Sequence, residues 1–389
     1  MKTLIVIDNL NPGGVASSLY NFLNYAHKQM DCDLLVFNEQ SIQPDEIPDN
    51  VKILPPKRLL HILGKTQSEI TAESKSMAFF RLILIALSKF FNGEFARSFL
   101  WFFIRKTGHY DLAISYAQDD SWKSLSKGCN DFVIKKVNAP HKAVVIHCDY
   151  SNFGGYHARQ SGLLGCFDNI ICVSHSCRKS FLSCFPSLND KVIVCENFIN
   201  IDKIRRLAKN PIDYPLQNIN FVSVCRLSVV KGLSRTLEAF KELFREGYSN
   251  FTWTIVGDGP EYESLQQEIH ASGLSEKITL VGQQINPYQY MANASVFLLP
   301  SLHEAAPMVY GENAVLHLPV LTTETCSAVE LVKERSIGIV AENSKSGIKN
   351  ALKDILEEKT VLDGFRISDE DINRHAEKQF GTFISSFTK

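Results

Sequence analysis

The stretch PSLHEAAPMVYGENAVLHLP, Pro300 to Pro319, follows an apolar run (Val296, Phe297, Leu298, Leu299) and carries two glutamates, Glu304 and Glu312. The apolar run reads as a buried strand. On one continuous helix, eight residues rise about 12 Å and turn roughly 80° beyond two full turns, so the two carboxylates would serve different places. Pro307 resolves the conflict, because proline is favoured at the first helical position, where its missing N–H costs nothing. Glu304 is therefore expected in the loop leaving the strand, and Glu312 inside a helix that starts near Pro307. Strand, loop and helix then offer one crevice three things. These are a loop carboxylate, free N–H groups around Met308 and Val309 just past Ala306 and Pro307, and a second carboxylate one to two turns in.

Free N–H groups and the macrodipole at a helix start attract phosphate. An ionised carboxylate accepts from vicinal hydroxyls through both oxygens. The combination suits a sugar nucleotide. Taken alone, the glutamates read equally well as a helix acid favouring the dipole and an exposed loop acid.

At 389 residues the chain exceeds what one core usually holds, so two domains are expected. Hydrophobic content of 45% with 21% charged residues fits a soluble globular protein, and a net charge of −1 gives no drive toward nucleic acid. The ten cysteines form no C-x-x-C pair, and several sit in apolar runs, as buried reduced thiols of a cytosolic protein would. The start, MKTLIVIDN, turns acidic too soon for a signal peptide and reads as a first strand.

From Leu4–Ile7 onward, strand-like and helix-like segments alternate. Strands are expected at Leu34–Phe37, Leu112–Tyr116, Val144–His147, Ile170–Val173 and Val192–Val194. A polar stretch around Leu207–Gln217, with Pro211 and Pro215, reads as a linker. The pattern restarts with strands at Phe221–Val224, Thr252–Val256 and Ile278–Val281, and helices over Gly232–Arg245 and Glu261–Ala271. The expected architecture is α/β, with two Rossmann-like, doubly wound parallel sheets facing each other across a cleft. The expected division is 1–207, 208–370, and a C-terminal helix over 371–389 packing back toward the first domain.

Two further constellations address an anion. Gly13–Gly14 lies between the first strand and first helix, where backbone can approach a phosphate, although a lone Gly-Gly is more often a plain turn. In VCRLSVVKG, Arg226 follows a strand and Lys231 sits at a helix start. Cations prefer a helix C-terminus, so two converging on a start point to an anion between them, with solvation of both at the surface as the alternative. The VGDGP turn (Gly257, Asp258, Gly259) is another strand-to-helix turn suited to lining a nucleotide.

In this order and spacing, Arg226, Lys231–Gly232, VGDGP, NPYQYMANASVFLLPS and the Glu304/Glu312 pair resemble the retaining glycosyltransferases of family four, which have the GT-B fold. The resemblance covers nearly the whole second domain and the first more loosely. It implies that Arg226 and Lys231 hold a donor diphosphate, Glu304 lies at the donor sugar, and Glu312 binds the ribose. It places Gly13–Gly14 near the phosphates and reacting centre. His147, in VVIHCDY, maps to the family's active-site histidine, with Asp149 and Tyr150 beside the acceptor, and Asn197 to a turn near the cleft. A satisfied core histidine is the alternative for His147. Ala305 and His317 stand where many members have glycine. The segment Thr325 to Val332 resembles members that build capsular, exopolysaccharide or lipopolysaccharide repeats.

The implied reaction moves a sugar, a UDP-linked hexose by expectation, onto a saccharide or polyprenyl-linked saccharide, with retention and without metal or cofactor. The implied location is cytoplasmic, at the inner face of the cell membrane. A sugar-nucleotide epimerase of the same architecture and a non-catalytic partner subunit are the alternatives.

Lys75 to Lys106 stands apart. Six cations (Lys75, Arg81, Lys89, Arg97, Arg105, Lys106) and one acid, Glu94, are interleaved with nine aromatic rings. No apolar run approaches the ~20 residues needed to span a bilayer. Basic aromatic helices of this kind lie on anionic membrane. The alternative is packing on the first-domain sheet with the cations solvated.

Overall fold

A computed structural model of the chain describes residues 1–152, 154–358, 360, 362–365 and 368–387. The chain divides into two compact units, Met1–Phe198 with His375–Lys389, and Ile199–Arg374.

The first unit carries β1 (Lys2–Ile7), β2 (Asp31–Val36), β3 (Lys52–Leu54), β4 (Thr107–His109), β5 (Leu112–Ser115), β6 (Val137–Asn138), β7 (His141–Ile146), β8 (Asn169–Cys172) and β9 (Val192–Val194). Seven of these make a parallel sheet in the order β3-β2-β1-β5-β7-β8-β9, and β4 pairs with β6 apart from it. Near-continuous burial of β1, β5 and β7 is what a sheet covered on both faces requires.

The second unit carries β10 (Ile219–Val224), β11 (Phe251–Val256), β12 (Ile278–Gly282), β13 (Val296–Leu299), β14 (Val320–Thr323) and β15 (Gly338–Ala341). They form a parallel sheet in the order β12-β11-β10-β13-β14-β15. Its core holds Phe240 stacked on Phe251, with centroids 4.7 Å apart, beside Trp253. The Trp253 indole is satisfied by donating to Ser223 Oγ at 2.9 Å.

Strand order reverses between β1 and β5 in one unit and between β10 and β13 in the other. Ligands of open α/β sheets bind outside the strand C-termini at such switch points. In the second unit, β10 and β13 are in register at Phe221↔Val296, so the loops that leave them emerge side by side.

The chain crosses between units at 198/199, not at the expected 207/208. The Ile201–Leu207 helix buries Ile204 in the second unit's core. The Pro211–Pro215 stretch is fastened there too: Ile212 N–H donates to Gln289 O at 3.0 Å and Tyr214 O–H to Tyr290 O at 2.8 Å. Its prolines mark irregular backbone rather than a free linker. The Arg374–Ser385 helix belongs to the first unit, where Phe380 meets Phe22 edge-on at 5.4 Å and Phe198 at 5.9 Å. The last two residues of the expected 371–389 segment lie outside the described residues.

Lys75 to Lys106 folds into two helices, Lys75–Phe90 and Gly93–Phe103. The expectation that its cations meet an anionic membrane, and the alternative that they are solvated, both fail at two positions. Arg97 is buried, with its guanidinium 2.5 Å from Asp131 Oδ2 and 3.7 Å from Asp119 Oδ2. Arg81 is buried, donating to Ile62 O at 3.0 Å and Gln67 Oε1 at 2.9 Å. Buried guanidinium groups are stable only when paired and bonded in this way. No helix among the described residues is long and apolar enough to cross a membrane.

Candidate functional site

The Lys231 turn is built by a glycine. Gly232 adopts φ +66 and starts the Leu233–Arg245 helix. A Cβ there would sit 2.2 Å from Pro300 O, so only glycine lets this turn lie against the loop leaving β13. Leu302 N–H closes the contact by donating to Val230 O at 2.7 Å.

Through this contact the Lys231 ammonium reaches Glu304 Oε1 at 2.5 Å. Ser301 O–H donates to the same oxygen at 2.6 Å. Among the described residues, no hydrogen bond reaches Glu304 Oε2. Both partners are largely covered, with side chains 23% and 12% exposed, which strengthens their attraction over that of a surface pair.

A clamp not anticipated from sequence holds the loop under Glu304. Arg235 donates to Pro300 O at 2.7 Å, to Ser301 O at 3.2 Å and to Asn343 Oδ1 at 2.6 Å. Asn343 in turn donates to Leu302 O at 3.1 Å and Glu324 O at 2.9 Å. Thr323 O–H donates to Ser301 O at 2.5 Å. The available signal was Arg235 itself, a cation in the first turn of a helix where the dipole disfavours one.

Pro307 stands one position earlier than expected, as the extended residue (φ −61, ψ 129) preceding the Met308–Leu316 helix. No side chain caps that helix, so its first N–H groups have no side-chain acceptor. Tyr310 anchors it from below, its hydroxyl 2.9 Å from Thr322 Oγ1.

Glu312 is partly buried on this helix. Burial pushes its carboxyl up to about 7, against the Tyr288 hydrogen bond and the Lys203 charge, which both favour the ionised form. Glu304 and Glu312 therefore occupy unlike settings: one carboxylate is held by an ammonium and a hydroxyl, the other is poised between protonation states near neutrality.

Arg226 is exposed in the loop after β10 and makes no ion pair among the described residues. In the VGDGP turn, a Cβ on Gly257 (φ +142) would meet Cys225 O at 1.9 Å, and one on Gly259 would meet Leu227 O at 2.3 Å. Leu227 N–H donates to Asp258 O at 2.9 Å. These glycines serve the packing of the β11 turn on the β10 loop, while Asp258 stays exposed.

In the first unit, Gly13 and Gly14 begin the Gly14–Ala26 helix in exposed backbone with no side-chain cap. Gly13 is extended, and a Cβ on Gly14 would meet nothing within 4 Å, so the surrounding protein requires glycine at neither position.

His147 follows β7 directly, its backbone N–H donating to Gln118 Oε1 at 2.9 Å and its ring 5.2 Å from that of Tyr116. Burial, then the Lys127 charge, push the imidazole down to about 4, against a hydrogen bond to the Tyr116 backbone. The ring is neutral, and its buried Nε2 has no partner among the described residues. Asn197 is tied to this corner, since Ser18 Oγ lies 2.7 Å from Asn197 Oδ1 and 3.0 Å from the Tyr116 hydroxyl.

Asp149 and Tyr150 are placed differently from the expected acceptor contacts. Burial raises the Asp149 pKa, but Ser180, Asn152 and Ser151 outweigh it and hold the carboxyl below its ordinary value. Both of its oxygens are used, by Ser151 and Asn152 of this turn and by Ser180 of the His175–Cys184 helix, at 2.5–2.8 Å. Tyr150 is a core ring packed edge-on against Phe181 and Phe185.

Residues 205–379 match the family model described as glycosyl transferases group 1. An uncharacterized glycosyltransferase of Methanocaldococcus jannaschii is 32% identical over 162 residues, 40% of each chain. The amylovoran biosynthesis glycosyltransferase AmsK of Erwinia amylovora is 30% identical over 160 residues, 39% of this chain and 38% of that one. The match thus spans about two fifths of the length of these curated relatives. Likeness of fold extends further: the structure of the Anabaena protein HepE in complex with UDP superposes with a TM-score of 0.66 at 15% identity, covering 99% of this chain and 100% of that one. Residues 205–379 are thus similar to the glycosyl transferases group 1, and the two parallel-sheet units have the GT-B fold.

Proposed function

We propose that the chain transfers a sugar from a nucleotide diphosphate sugar to a saccharide or polyprenyl-linked saccharide, with retention of anomeric configuration, in bacterial cell-surface polysaccharide synthesis. The observation that carries this reading is the Lys231–Glu304 pair at the β10/β13 switch point, next to an uncapped helix start. The kinship to polysaccharide glycosyltransferases supports the acceptor class, and the UDP bound to HepE supports a uridine donor.

Transfer breaks the bond between the anomeric carbon and the β-phosphate oxygen and forms one from that carbon to an acceptor oxygen. The acceptor proton passes to the departing phosphate. Negative charge grows on the phosphate as the bond stretches. Lys231, Arg226 and the N–H groups at Met308 and Val309 are the donors for it, and such contacts gain strength as charge develops in a dry site. Lys231 has three N–H donors, so it can keep Glu304 while engaging phosphate. Glu304 Oε2 then accepts from a donor-sugar hydroxyl, and Glu312, once ionised, from the ribose. In this reading the chemistry needs no metal, the enzyme is cytoplasmic, and it works at the inner face of the cell membrane.

Thermal stabilisation by a panel of sugar nucleotides tests the donor assignment. One uridine sugar is expected to raise Tm more than UDP alone, with the gain lost in Glu304→Gln. Equal melting with every nucleotide would contradict it.

A further inference from the structure

The two helices of Lys75–Phe90 and Gly93–Phe103 are amphipathic the wrong way round. On the first, Phe79, Leu82, Ile83 and Phe90 share a helical face and are exposed, while Arg81 and Ser88 point inward. On the second, Phe95, Phe99, Phe102 and Phe103 are exposed, while Arg97 is buried. The helices pack on each other, and Phe91, Phe95 and Phe99 continue as a ring-to-ring series at 4.6 and 5.5 Å. Phe90 and Phe102, 86% and 85% exposed, together present on the order of 300 Å² of apolar surface, near the whole of a typical monomer's largest patch.

We infer that this face docks on an anionic lipid bilayer, its rings entering the headgroup–acyl boundary. The inference deepens the proposed membrane location and is independent of donor chemistry. The charge pattern selects the occupant. With Arg81 and Arg97 inside, the exposed charges of the two helices and the turn after them are Lys75, Lys89, Arg105 and Lys106. The single acid, Glu94, is neutralised by Lys135 at 2.8 Å. Cations rimming aromatic surface complement an anionic bilayer. A second copy of the chain fits poorly, because a symmetric interface sets the same patch against itself and brings like charges together. Neither helix is long enough to span, so the hairpin lies in the interface.

The test is co-sedimentation of the full chain with vesicles of phosphatidylcholine alone and of phosphatidylcholine with phosphatidylglycerol. Wild type is expected to bind the anionic vesicles more tightly. The combined variant Phe79→Ser, Phe90→Ser, Phe102→Ser, Phe103→Ser is expected to lose binding at least tenfold while keeping its Tm and nucleotide affinity. If that variant unfolds, Phe90→Ser and Phe102→Ser singly carry the same test. Lys75→Gln, Lys89→Gln, Arg105→Gln and Lys106→Gln should each weaken anionic binding by roughly fivefold at low salt, the equivalent of about 1 kcal/mol per cation. Wild type left in the supernatant with both vesicles would overturn the inference. So would self-association in sedimentation velocity that the ring substitutions abolish while vesicle binding stays unchanged. Either result leaves nucleotide binding, measured without vesicles, as an independent readout of the donor site.

Discussion

Lys231 and Glu304, 73 residues apart in sequence, are joined through a 2.5 Å contact between loops that leave neighbouring parallel strands. Three features bring them together: the adjacency of β10 and β13, the Gly232 turn, and the Arg235 clamp on Pro300 and Ser301. If the pair holds the leaving phosphate and donor sugar, Lys231→Ala should lower kcat far more than donor affinity. Loss of such a contact costs about 2–4 kcal/mol, or roughly 30- to 1000-fold in rate. Steady-state kinetics on a correctly folded variant check this.

Arg235 touches the loop backbone and is a positioning residue. Arg235→Lys keeps the charge but loses the planar fork, so kcat should fall about tenfold to a hundredfold through misplacement of Glu304. Donor KM should change much less. A variant that loses affinity and rate in proportion, with an unchanged melting profile, would point to direct substrate contact instead.

Glu312 should make nucleotide binding pH-dependent. With its carboxyl pushed up to about 7, the form able to accept ribose hydroxyls gains population as pH rises through neutrality. Binding should tighten over that range and release protons. The phosphate also titrates near pH 6, so the diagnostic is the difference between wild type and Glu312→Gln.

The same group has a stability signature of fixed sign. Its folded pKa lies above the ordinary value, so its stabilising contribution is complete below about pH 4.5 and is lost as pH rises through about 7. Urea denaturation at pH 5 and pH 8 should show a drop that Glu312→Gln removes.

Gly257→Ala tests the packing role of the VGDGP turn. A Cβ 1.9 Å from Cys225 O cannot be relieved by a flexible side chain. The variant should lose about 3 kcal/mol or more of stability. A melting temperature within a degree of wild type would place the need for glycine elsewhere.

Much of the fold was legible because the Val296–Leu299 and Phe221–Val224 runs are long, apolar and bounded by turn residues, the pattern that buried parallel strands impose. Pro307 gave the helix start to within one residue. Arg235 and Asn343 escaped notice because their partners, mostly backbone carbonyls, lie 19 to 108 residues away, which no local spacing reveals. Arg97 was expected among the cations facing an anionic membrane for the same reason: Asp131, 34 residues on, is what turns it inward. The resemblance put Tyr150 with Asp149 beside the acceptor, yet its ring completes a core with Phe181 and Phe185.

The most direct test of the proposed activity is release of nucleoside diphosphate from the sugar nucleotide that most stabilises the chain, followed with and without an extract of polyprenyl-linked saccharides. Release is expected to depend on acceptor, with the sugar recovered on the lipid in its original anomeric configuration and the rate collapsing in Lys231→Ala. Conversion of the donor to an isomeric sugar nucleotide, or a Lys231→Ala rate equal to wild type, would contradict it.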